Sequence, residues 1–248
     1  MSRFVVLSGP SGVGKRALFK ALEKLYPELA GRLQRVVLHN DRQARPGELD
    51  GVHYHFRSRQ EVEAQSLKPG TIVTDVRGDL QALELAQIER IMASDRDPYF
   101  EGNPFVPAKL RDAGVFQKYP TLSIFVSPLS REEILFLKNL PRRVDLMDYL
   151  IDVQRRKLLL SMRNEKGILS IKDLQTVERR CGMTPAEMRE ACKFDHVIPL
   201  HDGSGHDHWD AHYYPLGDAF KAVHALAALL RGEGPNGWVE RWDHGLIP

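Results

Sequence analysis

The stretch Gly9-Pro10-Ser11-Gly12-Val13-Gly14-Lys15, set directly behind the apolar run Phe4-Val5-Val6-Leu7, constrains the fold more than any other feature of the chain. A β-branched run that ends on glycines, with Leu18, Leu22 and Leu25 following at helical spacing, reads as strand, loop and helix. Glycines there let backbone N–H groups turn inward around an anion, while the helix aims its amino end at it and a lysine neutralises its charge. Gly9, Ser11, Gly12, Val13, Gly14, Lys15 and Arg16 are therefore the predicted phosphate-binding set for a nucleoside triphosphate. The residue after such a lysine usually brings a hydroxyl oxygen to Mg²⁺, and neither Arg16 nor Ala17 has one. Arg16 either points outward on the helix or adds charge near the polyphosphate, and the sequence leaves both readings open.

Strand and helix signals then alternate. Gln34–His39 reads as a second strand, the run from Thr71 as a third, and the segment from Leu83 as a helix with Leu85, Ile88 and Ile91 on one face. Ser58 with Glu61 and Ser130 with Glu133 carry the capping-box pattern and should open helices, the second one ending before Pro141. Strands are also predicted at Pro98–Gly102, Thr121–Ser127 and Phe194–Leu200. Thr184, Pro185 and Glu187 mark a helix start, and a last amphipathic helix should end at Gly232. This alternation predicts an α/β fold with a mostly parallel sheet flanked by helices. Residues 141–193 are charged and helical and read as an inserted lid.

At this point the chain resembles the guanylate kinase family. Val5–Lys15 is similar to that family's opening, and Asp41–Glu63, with Arg-x-x-Arg-x-Gly-Glu ahead of Gly-x-x-Tyr-x-Phe, is similar to its nucleoside monophosphate segment. The resemblance implies a P-loop nucleoside monophosphate kinase-like fold and a single domain over residues 1–248. Its core would be 1–37, 97–140 and 194–248, its acceptor-binding segment 38–96, and its enlarged helical lid 141–193. It further implies that Arg42, Arg45 and Tyr54 hold the acceptor's phosphate, with Gln81 and Asn103 in the acceptor site. Lys15, Arg155 and Arg156 would be catalytic, with Arg142, Arg143, Arg179 and Arg180 as rivals across the lid.

Departures from the family pattern fall at the base end. Leu38, Gln81, Leu83 and Asn103 replace family residues, and Ile72 aligns with the guanine-reading glutamate. A pocket that loses its hydrogen-bonding groups loses discrimination. The expected function is thus transfer of the γ-phosphoryl group of ATP, with Mg²⁺, to a phosphorylated, nucleoside monophosphate-like acceptor that need not be GMP. The alternative is a catalytically inactive nucleotide-sensing or protein-binding module, favoured by Arg16, Ala17 and the altered base pocket.

Composition excludes other classes. A net charge of +2 gives no field for nucleic acid, and no apolar run reaches membrane-spanning length, so neither partner is expected. The short apolar run at the start does not read as a signal peptide, and Cys181 and Cys192 fit no disulfide or zinc pattern, which points to a reduced, cytoplasmic setting. The loop after Leu200 holds His201, His206 and His208 with Asp202, Asp207 and Asp210, a spacing that matches no closed zinc pattern. Imidazole and carboxylate together can still take a divalent ion, the bland alternative being a polar surface loop. Trp209, Tyr213 and Tyr214 read as packing residues of that loop, and Trp238 and Trp242 as anchors of the tail.

Overall fold

A strand covered on both faces needs a continuous apolar run and not an alternating one. In the computed structural model, which describes residues 2–44, 47–141 and 144–248, Phe4–Ser8 is such a strand, β1, with all five residues buried. The others are β2 (Leu33–Arg35), β3 (His39–Asn40), β4 (His55–Phe56), β5 (Thr71–Val76), β6 (Asp79–Glu84), β7 (Asp97–Gly102), β8 (Thr121–Ser127) and β9 (His196–Pro199). Among the described residues they form a five-stranded sheet, β2-β7-β1-β8-β9, and a four-stranded sheet, β4-β3-β6-β5. The β2–β7 and β8–β9 pairs are parallel, and helices flank the five-stranded sheet, as the alternation predicts.

The chain divides into two compact units, residues 1–6 with 32–122 and residues 7–31 with 123–248, so β1 and β8 begin in the first and end in the second. Two expectations are corrected in the first unit. The predicted strand Gln34–His39 is split, because β2 pairs with β7 whereas β3 pairs with β4 and β6 in the other sheet. Between them Val37 has no strand partner among the described residues. The Gln87 side chain takes that place, accepting from Val37 N–H at 3.1 Å and donating to its carbonyl at 2.9 Å. The helix expected from Leu83 begins at Leu85, because Leu83 and Glu84 belong to β6. β5 and β6 close a hairpin on Arg77 and Gly78, both at positive φ (61° and 87°), the two-residue turn whose twist suits an antiparallel pair. Ser58 and Glu61 form the predicted capping box on the helix Arg59–Ala64.

In the second unit the helix Lys15–Leu25 buries Leu18, Ala21 and Leu22 and packs on the final helix Gly217–Arg231, which stops at Gly232 in the left-handed region (φ 75°). Ser130 and Glu133 cap the helix Arg131–Lys138, which ends three residues before Pro141. The segment read as a lid contains the helices Leu146–Lys166, Ile171–Cys181 and Thr184–Arg189. The last starts where predicted, but Thr184 is its first residue and not its cap, its hydroxyl buried without a partner among the described residues.

Candidate functional site

The predicted phosphate loop holds its shape through three glycines in conformations that other residues rarely adopt. Gly9 has φ 147° and Gly14 φ 118°, and a Cβ at Gly9 would lie 2.3 Å from the Val126 carbonyl oxygen. Gly12 (φ 81°) lies against the Leu158 side chain, and buried Val13 pins the loop from inside. Gly14 precedes a helix with no acidic residue in its first turn, so the positive helix end is not offset there. The Lys15 ammonium folds back over the loop, donating to the Gly9 and Pro10 carbonyls at 2.7 and 2.9 Å. Every member of the predicted phosphate-binding set through Lys15 is thus brought together, while Arg16 is exposed on the helix. With an exposed cation at 16 and a methyl group at 17, this turn offers Mg²⁺ no side-chain oxygen. Residues 16 and 17 do not fit the usual ion-binding role.

Ser11 is the point at which the helical segment meets this loop. Gln154 donates to its carbonyl at 2.8 Å, Arg180 donates through Nε to its hydroxyl at 2.8 Å, and its N–H donates to a Glu187 carboxylate oxygen at 3.3 Å. Gln154 and Glu187 are fully buried. Neither residue was singled out in the sequence for such a contact, since a polar residue on a charged helix looks the same whether it faces water or a loop. Arg155 and Arg156 lie apart from this cluster. Arg155 pairs with both oxygens of Glu178 (2.7 and 3.0 Å) and with Asp152, which hold its pKa above the ordinary arginine value, and exposed Arg156 pairs with Asp152 at 2.5 Å. Arg179 is exposed, and Arg142 and Arg143 lie outside the described residues.

Of the residues predicted for the acceptor, Arg42, Tyr54, Gln81 and Asn103 lie in the first unit. Arg42 makes a two-pronged pair with Glu48 (2.7 and 2.8 Å) and stands over the rings of Tyr54 and Phe56 at 5.1 and 5.4 Å. Burial works against its charge, yet Glu48 raises its pKa overall, so it stays a fixed cation. Arg45 lies outside the described residues. Gln81 sits in register with Asn40 on one side and Thr74 on the other, a row of three buried polar residues on one sheet face. Asn40 Nδ2 and Thr74 Oγ1 are buried without hydrogen-bond partners among the described residues. Asn103, also buried, spends its Oδ1 on the Phe105 N–H at 2.9 Å at the start of a helix.

Of the three histidines considered as metal ligands, His206 and His208 converge, and they do so with Asp202. His201 does not join them. It is held between Glu133 (2.7 Å) and Asp218, which raise its pKa against the opposing effect of burial. Trp209 packs as expected, donating to the Gly203 carbonyl at 2.8 Å, but Tyr213 and Tyr214 are exposed because left-handed backbone at residues 212 and 213 turns the chain outward. Trp242 is buried and Trp238 donates to the Pro199 carbonyl, so both anchor the tail. Among the described residues no helix is long and apolar enough to cross a membrane.

Comparison with known proteins fits this geometry. The family model "Guanylate kinase" matches residues 1–143. The chain is 34% identical over 136 residues to "Guanylate kinase 1" of Arabidopsis thaliana, covering 52% of this chain and 32% of that protein. It is 34% identical to the "Guanylate kinase" of Colwellia psychrerythraea over 52% of this chain and 58% of the relative. With that of Bartonella quintana it shares 31% identity over 64% of this chain and 68% of the relative. The matched part thus spans between a third and about two thirds of these relatives. The crystal structure of guanylate kinase from Anaplasma phagocytophilum superposes with a TM-score of 0.56 at 18% identity, covering 96% of this chain and 89% of that one, a likeness of fold. A strand-anchored glycine loop with its lysine in place, and a family model matched over more than half the length, lead to one conclusion: the chain belongs to the guanylate kinase family.

Proposed function

We propose that the protein transfers the γ-phosphoryl group of ATP to a nucleoside monophosphate or a closely similar phosphorylated acceptor. The observation that carries this reading is the loop itself, three glycines at positive φ with the Lys15 ammonium held over them. Lys15 and the loop amides would hold the triphosphate, while Arg42, Arg45 and Tyr54 in residues 38–96 would hold the acceptor's phosphate. Any Mg²⁺ that accompanies ATP is held without a side-chain oxygen from residues 16 and 17.

The base end supports an acceptor other than GMP. Ile72 and Leu83 face each other across the β5–β6 hairpin, in positions where the family resemblance places base-reading groups. The row Asn40, Gln81 and Thr74 offers a different set of donors and acceptors, and Gln81 and Asn103 are proposed acceptor contacts. A panel of nucleoside monophosphates and sugar phosphates, assayed with ATP and Mg²⁺, is expected to show at least one acceptor other than GMP with kcat/KM at or above the GMP value. GMP leading the panel by about 100-fold or more would end the substrate claim. ATP bound tightly with no acceptor turned over would replace the enzyme by a nucleotide-sensing module.

The lid segment of residues 141–193 supplies the positive charge in this proposal. Arg180 is its first contributor because it already touches Ser11, with Arg155 and Arg156 contributing when their pairs with Glu178 and Asp152 give way to phosphate. Arg180→Ala is expected to lower kcat by about 100-fold or more, and Arg156→Ala by less than about tenfold, in steady-state assays of both variants. Equal losses would remove Arg180 from its place.

A further inference from the structure

We propose that Asp202, His206 and His208 bind one divalent transition-metal ion, of which Zn²⁺ is the best match in softness and geometry. The three residues lie on the loop after β9, and one ligand atom from each falls within 4.8 Å of the other two. His206 Nδ1 is 3.3 Å and His208 Nδ1 3.2 Å from the same oxygen, Asp202 Oδ1. Zinc bonds to nitrogen and oxygen of about 2.0–2.1 Å, arranged tetrahedrally, place neighbouring ligand atoms about 3.3 Å apart. These two edges already have that length, and the third ligand pair lies within 4.8 Å.

The hydrogen bonds already draw the three residues together. His206 Nδ1 accepts the His208 N–H at 3.2 Å and faces one carboxylate oxygen of Asp202, whose other oxygen lies 3.2 Å from His208 Nδ1. Coordination through Nδ1 would exchange that backbone hydrogen bond for a bond to the ion, so the two arrangements are alternatives at this nitrogen. Asp202 is oriented from behind, its Oδ2 accepting the Ala219 N–H at 3.0 Å at the start of the final helix. Metal-binding carboxylates and imidazoles are commonly fixed by such outer partners. His206 also lines an open cavity of about 490 Å³ with Ser161, Asn164 and Glu165, so water reaches that side of the cluster.

The site has a mechanical consequence as well. The Asp202 carbonyl and the Trp209 ring back directly onto Gly14, where a Cβ would lie 2.8 Å from the first and 3.4 Å from the second. An ion joining residues 202, 206 and 208 therefore fastens the wall behind the phosphate loop. Binding to the folded state alone raises thermal stability.

The test uses the full chain stripped with chelator, then titrated with Zn²⁺ by calorimetry and with Co²⁺ by visible absorption. One ion per chain is expected, together with a rise in Tm and a Co²⁺ spectrum of nitrogen and oxygen ligation. His206→Gln and His208→Gln, both on partly exposed side chains, should each weaken Zn²⁺ binding by at least the 10- to 100-fold typical of losing an outer partner. His201→Gln should leave the affinity unchanged. Cys192, whose Sγ is 3.3 Å from His244 Nδ1, is the rival pair, and a thiolate charge-transfer band in the Co²⁺ spectrum would assign the ion there and overturn the proposal. So would a double variant, His206→Gln with His208→Gln, that binds Zn²⁺ as the parent does. Asp202→Asn would also disturb the helix start that Asp202 holds and so would not isolate the ion's contribution.

Discussion

Lys157→Met is expected to make the protein more stable at pH 7, although it removes a buried hydrogen bond. Lys157 is 8% exposed on the helix Leu146–Lys166, and its ammonium donates to the Leu200 carbonyl at 2.8 Å. Burial pushes its pKa down to about 7, against the pull of Asp202, Glu133 and Asp218. An unfolded lysine titrates at 10.5, so between pH 7 and 10.5 the unfolded chain binds more protons than the folded one. Stability therefore rises with pH across that window, and the cost of burying this group is complete at pH 7 and below. The gap between the two values corresponds to about 4–5 kcal/mol. Losing the bond to Leu200 returns about 1–2 kcal/mol of that, which leaves a net gain on the order of 2–4 kcal/mol for methionine at neutral pH. Urea unfolding between pH 7 and 10 would read it: the difference between parent and variant should shrink by about 1.4 kcal/mol per pH unit. Parallel profiles would mean that Lys157 keeps its ordinary pKa.

Lys15→Met is expected to reduce kcat/KM for ATP by about 10²- to 10³-fold, equivalent to about 3–4 kcal/mol of transition-state stabilisation. Phosphoryl transfer depends mainly on positioning and on charge around the moving group, and Lys15 is the cation seated on the loop. Methionine keeps the length of the stem and loses two hydrogen bonds to Gly9 and Pro10, so the fold should survive with a small loss of stability. Steady-state kinetics alongside a thermal melt separate the two effects. A variant that turns over like the parent would show that the loop is not where ATP binds.

What the sequence disclosed depended on how local the cause was. The loop at residues 9–15, both capping boxes and the stop at Gly232 are set by neighbours within a few positions, and all are found as read. The division of Gln34–His39 between two sheets is not local. It depends on Gln87 supplying the hydrogen bonds of a missing strand from some 50 residues away. The β5–β6 hairpin was hidden because Arg77-Gly78 is not a common turn pair and Leu83 continues an apolar pattern that also suits a helix. In the candidate site, residue type and spacing pointed to the glycines and Lys15, but periodicity cannot rank arginines on a charged helix. Only tertiary contact distinguishes Arg180, on Ser11, from Arg155, on Glu178.

Ser11 enters the resting protein with its amide, carbonyl and hydroxyl already engaged by Glu187, Gln154 and Arg180. A carboxylate on that amide is a built-in competitor for an arriving polyanion. On the proposed function, nucleotide capture would displace an internal anion, and the measured affinity would be the intrinsic value multiplied by the fraction of molecules in which Glu187 has let go.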